Sequence, residues 1–227
     1  MKKRLLHILF WSVISAAFIG PGTITTAAAA GADYGMALIW ALVFSTFATI
    51  LLQEGVARVR WVAGKPIGTL IVDRFKKVNA QKAVAVLIFL AIFSGCAAYE
   101  AGNMLGALSG INLIIPAPRW LTVLVITLLA YALLWQGSIS LISRTLGGVV
   151  ALMGICFLFC AIVIGPDILK LLQGTVPSLP EGSAYLALAL IGTTVVPYNL
   201  FLGSGLYSGQ SLKEMRISLS IAVGLGG

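Results

Sequence analysis

The sequence predicts an all-α integral membrane protein, on three observations. Its apolar residues fall in runs of about 20, the length an α-helix needs to cross hydrocarbon. Of 227 residues, 59% are hydrophobic and only 10% charged, against about 25% charged in a soluble domain, so polar groups are too few to cover a globule. The runs also lack the short alternating segments of a β-barrel, and an open sheet would leave its edge unsatisfied in lipid.

Six spans and part of a seventh can be read along the chain. The first runs from Leu5 to about Ala30, with an interruption at Gly20-Pro21-Gly22. The second covers about Gly35 to Trp61, the third Ala83 to Leu108, the fourth Leu121 to Trp135 and the fifth Leu146 to Gly165. The sixth covers about Ala184 to Tyr207 and is interrupted near Pro197; the seventh begins near Glu214. Lys2-Lys3-Arg4 followed by an apolar stretch imitates a secretory signal. The stretch is too long for a signal core and the rest of the chain is equally apolar, which points to a retained first span.

The formal charge of +8 is a topology signal. With the N-terminus in the cytoplasm, 13 of the 15 Lys and Arg residues fall on the inner side, and only Arg119 and Lys170 on the outer. That distribution excludes a nucleic-acid surface and places the chain in the cytoplasmic membrane, with Gly64–Lys82 as the main inner loop and Pro166–Gly182 as the main outer one. Cys96, Cys156 and Cys160 lie inside apolar runs and are expected to be buried, inert thiols.

Two spans are broken. Gly20-Pro21-Gly22-Thr23 sets a proline between glycines at membrane depth, and Thr193-Thr194-Val195-Val196-Pro197-Tyr198-Asn199 sets a second proline in the sixth span. Proline removes a donor and clashes with the preceding turn, and each freed backbone group in lipid must be satisfied by something else. Transporters use such breaks to bind ions at mid-membrane. Spans one and six lie five apart and run in opposite directions, which gives a five-plus-five inverted repeat. The chain is then one transmembrane domain, 1–165 forming the first five-helix repeat and 184–227 the start of the second. It is expected to be incomplete by about three spans and the rest of the seventh.

Two carboxylates enter the candidate machinery. Glu100 sits well inside the third span, where it either carries a proton or acts as a structural carboxyl bonded to the broken first span. Glu54 lies four residues before Arg58, so the two can pair on one helix face, as a structural pair or as part of an inner gate. His7 is peripheral, and Asp33 is expected in a short outer loop.

These motifs resemble those of the Nramp divalent metal transporters. The likeness covers about Phe18 to Ser204: Gly20-Pro21-Gly22-Thr23 with Ala30-Gly31-Ala32-Asp33-Tyr34-Gly35, then Leu51-Leu52-Gln53-Glu54 with Ala57-Arg58, then Pro197-Tyr198-Asn199-Leu200-Phe201-Leu202 with Ser204. It implies a leucine-transporter-type fold and proton-linked movement of divalent cations, the cation being substrate rather than cofactor. The family's Asp-Pro-Gly-Asn and Met-Pro-His are altered here. Gly20 stands at the aspartate position, Thr23 at the asparagine, Val196 at the methionine and Tyr198 at the histidine.

Without a thioether the preference for softer transition metals falls, and a hydrated hard ion such as magnesium tolerates a site of hydroxyls and carbonyls. Thr23, Thr193, Thr194, Tyr198 and Asn199 can supply oxygens to such a hydration shell. Two other readings share the fold: a carrier of a small organic solute such as an amino acid, held by the backbone donors of Gly20 and Gly22, and a non-transporting relative. The sequence lacks the zinc and nucleophile-elbow motifs of an intramembrane enzyme.

Overall fold

The computed structural model describes residues 18–135, 139–205 and 211–226, and its regular secondary structure is helical. The helices are α1 (Pro21–Tyr34), α2 (Ile39–Ala63), α3 (Ile67–Asp73), α4 (Val78–Asn112), α5 (Arg119–Trp135), α6 (Ile139–Ile164), α7 (Ile168–Gln173), α8 (Ala184–Thr194), α9 (Pro197–Gly205) and α10 (Leu212–Gly226). The first part of the first span, with His7 and the basic cluster, lies outside the described residues. So does Tyr207.

Among the described residues, four stretches are long and apolar enough to cross a membrane: α2, α4, residues 145–164 of α6, and α8 with α9. At 17 residues, α5 is about 26 Å long, slightly under the hydrocarbon thickness. Large apolar side chains such as Phe89, Phe93, Leu129 and Phe159 point outward, as lipid requires. The three cysteines do so too, so the expected burial is corrected: they lie on helix faces that no described element covers. Two loops hold short helices that the hydropathy pattern does not reveal, α3 between α2 and α4 and α7 between α6 and α8. Asp33 belongs to the last turn of α1 rather than to a loop.

Both interruptions are narrower than the sequence suggests, and they lie before the prolines. The first consists of Ile19 and Gly20, the second of Val195 and Val196. Pro21 and Pro197 each open the following helix. The reason is that proline at the first helical position has its φ already set, and its missing N–H is a group that no helix start would bond anyway. Pro21, Gly22, Thr23, Pro197, Tyr198 and Asn199 are therefore helical, which corrects the expectation of unwound backbone through Thr23 and Asn199.

The packing forms two apolar cores with a polar layer between them. One core joins Ala30 of α1, Leu38 and Ala41 at the start of α2, and Ala187 and Leu190 of α8. The other joins Phe18, Ala57, Val196 and, from α10, Met215, Leu219, Ala222 and Val223. The buried stripe of α2 follows the same order: Ala41, then Ser45, Thr49 and Gln53, then Val56 and Ala57. Its polar middle, at four-residue spacing, faces the level of the breaks. Gly64, at φ 69°, ends α2 in the left-handed conformation that suits glycine.

Candidate functional site

The breaks strand specific carbonyl groups. In a helix, the N–H of residue i bonds the carbonyl of i−4. The partner of Thr193 would be residue 197, which is Pro197 and has no N–H. The partner of Phe18 would be Gly22, whose N–H instead donates to Asn103 Oδ1 of α4 at 3.3 Å. The Thr194 carbonyl accepts from Thr49 Oγ1 of α2 at 3.2 Å.

Tyr99 of α4 joins the two breaks. Its one hydroxyl proton is within reach of the Phe18 carbonyl and of the Thr193 carbonyl at 3.1 Å, and its oxygen lies 3.0 Å from Thr23 Oγ1. Thr23 Oγ1 in turn donates to Phe18 O at 2.7 Å. Four oxygens therefore make four close contacts, yet only two hydroxyl hydrogens exist among them. Two of the contacts have no proton between lone pairs, an arrangement that attracts positive charge.

Beside this cluster is a cavity of about 390 Å³, lined by residues that include Gly95, Tyr99, Gly192, Val196, Pro197 and Tyr198. The Tyr99 and Tyr198 rings meet edge to face, 5.6 Å apart at 76°. The wall is largely apolar, with the hydroxyls of the two tyrosines as its polar features.

The structure brings some of the predicted residues together and leaves others apart. Thr23 contributes its hydroxyl, but Thr193 contributes its carbonyl, because its own Oγ1 donates to Leu190 O at 2.9 Å. Val196, Pro197 and Tyr198 line the cavity, whereas Asn199 is fully buried away from it. Gly20 and Gly22 press against α4 at Asn103 and Gly102. Glu100 is exposed and bonds Asn103 Nδ2 at 3.4 Å, so it reaches the first break only through that amide. Among the described residues no three His, Cys, Asp or Glu side chains gather as a metal site.

Glu54 pairs with arginines rather than with the breaks; it accepts from its neighbour Arg58 and from Arg216 Nε of α10 at 2.7 Å. Its carboxylate is only 16% exposed, the arginines about half. A double-mutant cycle of Glu54→Gln with Arg216→Gln should give a coupling of about 1 kcal/mol in thermal stability; additive losses would show that this bridge does not tie α2 to α10.

Tyr99, Thr49 and Asn103 are the residues that sequence reasoning missed. The available signal was the polar tip of a tyrosine in a transmembrane run, which needs a partner when buried, and its i,i+4 spacing to Asn103 on one face.

A family description, natural resistance-associated macrophage protein-like, matches residues 12–220. The chain belongs to the Nramp family. Among similar Nramp proteins are the divalent metal cation transporter MntH of Verminephrobacter eiseniae, 29% identical over 198 residues that make up 86% of this chain and 44% of that one, and the metal transporter Nramp3 of Oryza sativa subsp. japonica, 28% identical over 86% of this chain and 35% of its own. The chain spans about half the length of the curated relatives it matches. The crystal structure of an Eremococcus coleocola manganese transporter, in complex with an aromatic bis-isothiourea substituted compound, superposes with a TM-score of 0.78 at 20% identity over 99% of this chain and 49% of that one. The likeness establishes the fold, the leucine-transporter type expected for Nramp, and the chain is a multi-pass membrane protein.

Proposed function

We propose that these residues form the ion-handling half of a secondary transporter for divalent cations, and that the cation is held as a hydrated hard ion, magnesium or manganese, by neutral oxygens. The observation that carries this reading is the cluster of Phe18 O, Thr193 O, Thr23 Oγ1 and Tyr99 OH, with four close contacts and two protons. The relatives named above, described as divalent metal cation and metal transporters, support the substrate class. A site of carbonyls and hydroxyls lacks the thioether that favours softer metals, and it suits an ion that keeps several waters.

The organic-solute reading is weakened, because the Gly22 N–H that would hold a carboxylate already serves Asn103. Glu100 is the candidate proton carrier, and the Glu54–Arg58–Arg216 cluster is an inner gate linking the 1–165 repeat to the second. The basic excess places the N-terminus in the cytoplasm.

Proteoliposomes containing the intact protein should show magnesium- or manganese-dependent flux. Thr23→Ala should lower it about tenfold, the equivalent of one lost hydrogen-bonding oxygen. Glu100→Gln should leave binding in place and remove the response to an imposed proton gradient. Flux indifferent to both changes would refute the site. Absence of flux with either ion would identify a non-transporting relative.

A further inference from the structure

The crossing of α1 and α4 is so close that it decides which side chain can stand at the first break. A Cβ built on Gly106 of α4 would lie 2.5 Å from the main-chain carbon and oxygen of Pro21, and one on Gly22 would lie 3.1 Å from the carbonyl carbon of Gly102. The two backbones are in contact, so α4 cannot be moved aside to make room. At Gly20 a Cβ would overlap Asn103 Oδ1 and approach its Cγ to 2.9 Å. The Asn103 carboxamide therefore fills the space that a side chain at residue 20 would take. Oδ1 accepts the Gly22 N–H at 3.3 Å, Nδ2 donates to Glu100 Oε2 at 3.4 Å, and a carboxamide oxygen has a second lone pair to offer. Asn103 sits one turn from Tyr99 on the same face of α4, and its bond to the Gly22 N–H places this oxygen at the first break.

We propose that Asn103 is a specificity-determining residue, which supplies from α4 the side-chain oxygen that Gly20 cannot supply from α1. Because that oxygen is neutral, the site holds a divalent cation through its waters instead of binding it bare. This inference rests on the cation-transport reading above. It adds the residue that sets the charge of the site, and it makes Gly20 and Asn103 a matched pair, since a side chain at residue 20 would displace the Asn103 carboxamide from its bond to the Gly22 N–H.

The test uses the intact protein in detergent, with two readouts: melting temperature without divalent ions, and its shift on adding magnesium or manganese(II) chloride. Gly20→Asp alone should lower the melting temperature or abolish monodisperse protein. Gly20→Asp combined with Asn103→Gly should recover it, because the aspartate enters the emptied space. Asn103→Asp keeps the size and adds a charge, and it should strengthen binding of both ions at least about tenfold. A Gly20→Asp protein as stable as the parent, a failed rescue by Asn103→Gly, or unchanged ion affinities in Asn103→Asp would each overturn the proposal. If the parent binds neither ion, the water-mediated site and the transport reading fall together, whereas a parent that binds an ion with an affinity Asn103→Asp does not change would remove Asn103 from the site and leave that reading standing.

Discussion

Tyr99→Phe should be among the most damaging single-atom changes in this chain. The variant keeps the ring and its edge contact with Tyr198, so packing is preserved. It deletes the one hydroxyl that reaches both breaks. The Phe18 carbonyl still receives Thr23 Oγ1 at 2.7 Å, but the Thr193 carbonyl loses the side-chain donor that compensates for the N–H absent from Pro197. A buried acceptor left unsatisfied costs about 1–3 kcal/mol, and the site also loses one of its four oxygens. The expected result is a lower melting temperature together with a fall in cation flux of more than about tenfold. Parent-like stability and flux would show that the tyrosine hydroxyl does not hold the breaks together. Loss of stability alone would confine it to a structural role.

The second large effect concerns a glycine with no chemistry of its own. Gly106→Ala adds a methyl group 2.5 Å from the Pro21 carbonyl carbon and oxygen, with Pro21 Cβ at 2.9 Å. Two of those atoms are main chain, and the same crossing is tight one turn away, where Gly22 meets Gly102. The strain cannot be relieved by a rotamer change, so α1 and α4 must separate, which should cost about 1–3 kcal/mol or more. Gly110, one turn further along α4, has nothing within 4 Å of its virtual Cβ. There the same change should be neutral or stabilise by about 0.5–1 kcal/mol, since alanine loses less entropy in a helix. Thermal unfolding of the two variants side by side should therefore show opposite signs. Equal effects would mean that α1 and α4 do not meet in backbone contact at Gly106.

Much of this protein's character is legible in one dimension because lipid imposes a one-dimensional rule. A span must be apolar for about 20 residues and must satisfy its own backbone. That is enough to locate the spans, to pick out Pro21 and Pro197 as breaks, and to derive from the i−4 rule that the Thr193 carbonyl has no helical donor. The i,i+4 pairing of Glu54 with Arg58 was equally readable. The exact site of unwinding was not, because proline reads as a breaker yet serves here as the first residue of the next helix.

What the fold alone decided is which groups meet. Hydropathy assigns residues to spans but does not set the rotation of one span against another, and the site depends on that rotation. It turns Tyr99, Thr49 and Asn103 toward the breaks, leaves Glu100 and the cysteines facing outward, and buries Asn199 away from the cavity. The physical cause is the near-absence of side chains at Gly22 and Gly106. They let α1 and α4 approach to backbone contact, and at that distance a single amide takes the room of a side chain that residue 20 does not have.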